Sequence, residues 1–173
     1  MSATSRPGCT VLGIHHVAFA HRGQEVIDGL ESLFGLRCDL TEEASGFLER
    51  MFPVGASFVQ TLEATGPGLV DRFVDRRGPA LHHVAFEVED IDVAFAELRR
   101  LGTRMVDEAP RPGGGGTRIA FVHPAACGGL LVELVETNKQ VENGGQVENG
   151  GPVGKDGPVE NDRPVEDDRE ARA

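Results

Sequence analysis

The sequence predicts an α+β fold of two tandem βαβββ modules, forming a curved, barrel-like mixed sheet around a cleft. Three observations carry this reading. The hexapeptide Ile14-His15-His16-Val17-Ala18-Phe19 returns 67 residues later as Leu81-His82-His83-Val84-Ala85-Phe86, with five of six letters shared. Each copy is followed by a helical pattern that stops at a glycine, Gly35 and then Gly102, at the same 67-residue offset. Finally, an apolar run carrying one polar letter recurs: Ser57-Phe58-Val59-Gln60-Thr61-Leu62-Glu63 in the first half and Leu130-Leu131-Val132-Glu133-Leu134-Val135-Glu136 in the second. The offset of this last pair is 73, so an insertion separates the two copies.

The elements follow in order. The run 13–20 alternates like a strand, and 25–34 has helical spacing that ends at Gly35. Glycine suits a helix end because the residue after the last turn usually needs a positive φ. Residues 47–52 read as a strand closed by Pro53-Val54-Gly55, and 57–63 as the next. The second half repeats the series with a strand from Leu81, a helix over 91–101, a strand over 117–122 closed by His123-Pro124, and a last strand over 130–136. The modules span about 13–66 and 80–136 of a domain running from 13 to 136, after a short N-terminal extension, 1–12. A small sheet of this kind is marginal alone, so the two are expected to pair and share one core.

From Val141 the composition changes and a six-residue unit recurs: VENGGQ, VENGGP, VGKDGP, VENDRP, VEDDRE. One Val per unit buries too little to offset backbone ordering entropy, so 137–173 is expected to be a disordered, acidic tail. A hexapeptide period also marks β-solenoids, but these need several apolar positions per turn and many more turns.

Composition excludes several function classes. Seventeen basic against 28 acidic residues give a net charge of -11, with no Lys/Arg stripe, which argues against nucleic acid. The polar start 1–7 has no apolar run suited to a signal peptide or a membrane span, so a cytoplasmic protein without membrane partners is expected. Cys9, Cys38 and Cys127 are odd in number and scattered, fitting neither a disulfide framework nor a thiolate zinc site.

Strand parity narrows the site. Successive side chains point to opposite faces, so one histidine of each doublet enters the cleft. Ile14, His16, Ala18 and Ala20 share one face, and His15, Val17 and Phe19 the other, which has the character of a helix-packed side. This selects His16 and, by the repeat, His83, leaving His15 and His82 on the packed side. Gln60 and Glu133 lie in otherwise apolar strands, where an unpaired amide or carboxylate costs several kcal/mol. Two imidazoles, an amide and a carboxylate make a mixed N/O donor set suited to Co²⁺, Mn²⁺, Fe²⁺, Ni²⁺ or Zn²⁺, which would make the cleft metal-binding. Any one of the four alone is as well explained as a satisfied polar group inside a barrel. Four at matched places in both halves favour the metal.

The run Leu81-His82-His83-Val84-Ala85-Phe86-Glu87-Val88 with Asp90-Ile91-Asp92, the stretch Asp107-Glu108-Ala109-Pro110-Arg111, and Arg118-Ile119-Ala120-Phe121-Val122-His123-Pro124 before Gly129-Leu130-Leu131-Val132-Glu133-Leu134 resemble the methylmalonyl-CoA epimerases, a family of the vicinal oxygen chelate superfamily. The resemblance covers nearly all of 13–136. It implies a divalent metal, Co²⁺ first with Mn²⁺, Zn²⁺ or Ni²⁺ as alternatives, held by His16, Gln60, His83 and Glu133. It implies an acyl-CoA substrate whose (2R) and (2S) forms interconvert through an enolate, a catalytic carboxylate at Glu49 in the family-like stretch Gly46-Phe47-Leu48-Glu49, and Glu133 as a candidate for the second acid–base group. Glu49 is in phase with Phe47 and Met51, and the matching strand of the second half has Ile119 or Ala120 instead. A solvent-facing edge charge is the plain alternative for Glu49.

The glycine run 113–116 reads either as a flexible hairpin linker or as backbone that lets amides approach the substrate. Arg111 and Arg118 flank it and are either phosphate contacts or solvated surface charges. The chain departs from the family in its first helix, Leu30-Glu31-Ser32-Leu33-Phe34, and in the link 38–45. Both departures bear on the acyl group, so ethylmalonyl-CoA stands beside methylmalonyl-CoA. Competing readings are a glyoxalase I-like lyase, which would use Glu133 as base and need no Glu49, and a non-catalytic ligand-binding or resistance protein. Exposed sheet edges make a homodimer the expected assembly.

Overall fold

The computed structural model describes residues 8–137. The chain runs β1 (Val11–His21), α1 (Glu25–Phe34), β2 (Leu40–Ala44), β3 (Phe47–Val54), β4 (Ser57–Ala64), α2 (Leu69–Arg77), β5 (Ala80–Val88), α3 (Ile91–Arg100), β6 (Arg111–Pro112), a 3-10 turn at Gly114–Gly116, β7 (Arg118–Val122) and β8 (Val132–Glu136). The expected βαβββ order is present twice. The tail beyond Thr137, expected from its repeats to be disordered, lies outside the described residues.

All eight strands form one curled half-barrel sheet in the order β2-β3-β4-β1-β5-β8-β7-β6. That order is symmetric about the β1–β5 junction. β1 pairs parallel with β4, and β5 parallel with β8. β1 and β5 pair antiparallel, which joins the modules and places a pseudo-twofold axis between the two histidine doublets.

The helix ends follow local chemistry. α1 closes at Gly35 with φ 66°, the left-handed geometry foreseen for it. α3 ends one residue earlier than the spacing predicted, and Leu101 precedes Gly102 at φ 77°. At its start, Asp90 Oδ1 accepts a hydrogen bond from the Val93 N–H at 2.9 Å, a cap worth about 1 kcal/mol. α3 buries Ile91, Ala94 and Phe95 against Val88, Ala120, Val122, Val132 and Leu134. Each large side chain so buried contributes about 1.5–3 kcal/mol.

Helix α2 is an element that sequence periodicity did not single out. It spans nine residues, and its apolar positions Val70, Phe73 and Val74 suffice for one narrow stripe. Val70 and Val74 bury against Ala18, Ala20 and Leu62. Helical packing is therefore not confined to the Val17/Phe19 face, as parity suggested: α2 covers Ala18 and Ala20 on the His16 face. The second module keeps the expected division, with Val132 and Leu134 under α3, while Ala85, Ile119 and Val135 form a separate cluster on the cleft side with Phe121 beside it.

Candidate metal centre and active site

Strand register arranges the four polar residues in two rows. Gln60 of β4 is paired with Ala18 of β1, and Ala18 with His83 of β5. His16 of β1 is paired with Ala85 of β5, and Ala85 with Glu133 of β8. The rows exchange under the pseudo-twofold axis, Ala18 taking the place of Ala85. Both alanines are fully buried, so the space between the polar side chains is floored by the smallest side chain that keeps a strand ordered. His16, Gln60, His83 and Glu133 are all buried too.

The donor atoms converge. His16 Nε2 and His83 Nε2 are 2.9 Å apart, and Glu133 Oε2 is 3.1 Å from each. Glu133 Oε2 nonetheless has no directional hydrogen bond, and Gln60 Oε1 is buried without a partner. Two orphaned buried oxygens, one of them 3.1 Å from two imidazole nitrogens, leave electron pairs without a partner in the desolvated interior, an arrangement that a divalent cation satisfies. Among the described residues, His16, His83 and Glu133 bring three such atoms within 4.8 Å of one another. The residues present therefore fit a divalent metal. Burial pushes the Glu133 carboxyl up, but the two imidazoles outweigh burial and hold it down at about 2.

Glu49 stands two residues along from this set on the same face. Met51 pairs with Gln60, and Glu49 with Leu62. In the second module Phe121 occupies the place of Met51, opposite Glu133, so the counterpart of Glu49 is Ile119. Burial raises the Glu49 carboxyl above its ordinary range; the Gln60 amide and His16 oppose that shift, while Glu42, its direct cross-strand partner, and Glu133 reinforce it. It is thus a desolvated carboxylate beside the converging ligands, without an acidic counterpart across the axis.

The glycine run resolves as a β6–β7 hairpin that reaches the opposite edge of the half-barrel. The Gly113 N–H donates to Thr117 O at 2.9 Å, and the Gly115 N–H donates to both carboxylate oxygens of Glu42 at 3.2 Å. A Cβ on Gly114 would lie 2.8 Å from Glu42 Oε2 and 3.0 Å from Glu49 Oε1. The backbone amide thus serves a carboxylate of this chain's first module. Arg118 is committed to both Asp92 carboxylate oxygens, at 2.7 and 2.8 Å, and also reaches Glu136 at 3.2 Å. Arg111 binds Asp107 at 3.0 Å over the Phe121 ring. Each guanidinium thus has a carboxylate partner while part of it stays exposed to solvent.

Parity set the second histidine of each doublet apart from the first, yet the structure brings the two rings of each doublet together. His15 Nδ1 is 2.8 Å from His16 Nδ1, and His82 Nδ1 is 2.8 Å from His83 Nδ1. Burial, with the neighbouring His83, pulls His82 down to about 4, and burial likewise lowers His15. The signal available in the sequence was the doublet itself, present in both halves.

Comparison with known proteins follows the same lines. The model of the glyoxalase/bleomycin resistance protein/dioxygenase superfamily matches residues 15–121. The mitochondrial methylmalonyl-CoA epimerase of Dictyostelium discoideum is 30% identical over 131 residues, covering 71% of this chain and 77% of that protein. The crystal structure of methylmalonyl-CoA epimerase from Mycobacterium tuberculosis superposes with a TM-score of 0.72 at 32% identity, covering 82% of this chain and 96% of that one. A Streptomyces coelicolor methylmalonyl-CoA epimerase in complex with 2-nitronate-propionyl-CoA gives 0.70 at 30% identity, covering 74% and 99%. Two further curated relatives match over shorter stretches, in which the chain spans 58% and 31% of their length.

Proposed function

Since this chain belongs to the glyoxalase/bleomycin resistance protein/dioxygenase superfamily, in the branch that holds methylmalonyl-CoA epimerases, we propose that it is an isomerase interconverting the (2R) and (2S) forms of methylmalonyl-CoA. The observation that carries this reading is the asymmetric carboxylate. A duplicated scaffold supplies matched metal ligands from both halves, yet Glu49 faces the site from the first half alone, opposite Ile119 in the second. A lyase that used Glu133 as its base would leave Glu49 without a task.

His16, Gln60, His83 and Glu133 would hold the divalent ion, Co²⁺ first with Mn²⁺, Zn²⁺ or Ni²⁺ as alternatives. Such an ion, when bound, supplies Lewis-acid charge for the oxygens of a malonyl-type thioester. The protein's own groups do the rest. Glu49, desolvated and hydrogen-bonded by Gln60, takes the α-proton from one face. Its raised proton affinity makes it the stronger base of the two site carboxylates. On the other face Glu133 is the candidate acid–base group; held ionised by two imidazoles, it carries no proton of its own and must take one from water before returning it. Ala18 and Ala85 keep the floor low enough for the acyl portion, and the Gly113–Gly116 hairpin closes the mouth over Glu42 and Glu49. A cytoplasmic setting and a homodimer complete the proposal. The dimer is supported by the sheet ending in the edges of β2 and β6 among the described residues.

The test is α-proton exchange in D₂O, followed by ¹H NMR, for methylmalonyl-CoA and ethylmalonyl-CoA with Co²⁺-loaded protein. Exchange should depend on the metal. Glu49→Gln should keep its Co²⁺ while losing about 10²- to 10⁴-fold in rate, the usual contribution of a general base. Fully metallated protein that exchanges neither substrate would sink the isomerase reading.

A further inference from the structure

The β1–β5 ladder is irregular at three places, and two of them match across the pseudo-twofold axis. Between the Ile14–Phe86 and His16–Ala85 pairs the register slips by one, leaving His15 as the extra residue of β1. Between the Ala18–His83 and Phe19–Leu81 pairs it slips back, leaving His82 as the extra residue of β5. Each is therefore the inserted residue of a β-bulge, and the two bulges are related by the pseudo-twofold axis. Bulges re-aim side chains. In a regular strand adjacent side chains diverge to opposite faces; here both doublets instead close to 2.8 Å between Nδ1 atoms. Aromatic neighbours support the outer rings: Phe58 lies 5.6 Å from His15 and Phe73 of α2 lies 4.8 Å from His82, centroid to centroid.

Resting on the metal reading of the site, we propose that His15 and His82 are positioning residues that fix the tautomer of the two ligand histidines. A neutral imidazole has one N–H and one lone pair. The Nε2 atoms of His16 and His83 face Glu133 in the cleft, so these are the nitrogens that offer lone pairs to a metal, and their protons reside on Nδ1. Each Nδ1–H then needs an acceptor, and the Nδ1 lone pair of His15 or His82 is within reach. That in turn places the proton of each outer imidazole on its own Nε2. Partners of this kind orient a ligand ring and raise its basicity toward the metal. The bulges are what bring them into range, and duplication has applied the device to both ligands.

The experiment compares His15→Ala, His82→Ala, His15→Asn and His82→Asn with the wild type. Asparagine places Oδ1 near the position of the histidine Nδ1 and still accepts a hydrogen bond. Co²⁺ affinity is read by chelator competition, and the ligand Nδ1–H protons by their hyperfine-shifted, solvent-exchangeable ¹H resonances in the Co²⁺ protein. Each alanine variant should lose one of two such resonances and about 10- to 100-fold in Co²⁺ affinity, and the asparagine variant should recover most of that affinity. Circular dichroism of the metal-free proteins shows whether each is folded; if an alanine variant is not, its asparagine counterpart, which should keep near-wild-type affinity, decides. Alanine variants that bind Co²⁺ as the wild type does, or folded asparagine variants that bind it no better than alanine, overturn the proposal while leaving the metal site intact. A folded wild-type protein that binds no Co²⁺ removes the metal reading itself and this inference with it.

Discussion

Replacing Gly114 by alanine should separate activity from stability, because the atoms nearest the added methyl are carboxylate ends rather than backbone. The new Cβ would lie 2.8 Å from Glu42 Oε2 and 3.0 Å from Glu49 Oε1. A relaxed carbon–oxygen contact is about 3.4 Å, so each carboxylate must withdraw by roughly half an ångström. Glu42 would strain its hydrogen bonds from the Gly115 N–H, and Glu49 would shift against Gln60. Misplacing a reacting group by 1 Å costs about 10²-fold, so a shift of this size should lower kcat/KM by about 3- to 10-fold. Stability should move the other way. Gly114 is not among the glycines with positive φ, and alanine at a compatible position gains about 0.4–1 kcal/mol by restricting the unfolded chain. The movable ends of two glutamates yield at less cost than that. Gly13→Ala is the control, since nothing lies within 4 Å of its added Cβ. Steady-state epimerisation and thermal unfolding of both variants decide the matter. If Gly114→Ala kept full activity, or lost it only in step with a fall in Tm, the placement of the hairpin over Glu49 would be refuted.

Two other outcomes follow from the same geometry. Burial and the facing Glu42 both raise the Glu49 carboxyl, and the reaction needs its ionised form, so activity should fall as pH drops through a value above that of an ordinary glutamate. Glu42→Gln removes the facing charge and should move the acid limb of kcat/KM to lower pH; an unmoved or raised limb would detach Glu42 from the site. Ala85→Val adds two methyls to a fully buried floor position between His16 and Glu133, packed on Ile119 and Val135. It should cost about 1–3 kcal/mol in unfolding and lower the Co²⁺ content of purified protein; unchanged metal content measured by elemental analysis would show that the floor does not shape the site.

Much of this protein was legible before folding. The hexapeptide repeat, the two glycine stops and the polar letters of the last strands gave the duplicated βαβββ order, because each is a local pattern set by strand alternation or helix capping. The same patterns singled out His16, His83, Gln60 and Glu133, since an apolar strand tolerates a buried polar group only with a partner. Helix α2 escaped because nine residues with one narrow apolar stripe carry little periodic signal, and its burial partners, Ala18 and Leu62, come from other strands.

What tertiary structure alone decided is register. Which residues share a row across β4, β1, β5 and β8 depends on pairing between segments far apart in the chain, and no local propensity records it. Strand parity, true within each segment, set His15 and His82 apart from the cleft histidines; two inserted residues in the β1–β5 ladder brought their nitrogens to 2.8 Å. The Gly115–Glu42 contact and the capture of Arg118 by Asp92 likewise join residues 73 and 26 positions apart. Sequence determined which groups must be buried, because burial is a property of each residue's own chemistry; the curled sheet determined which of them meet, because meeting requires two strands to choose a register together.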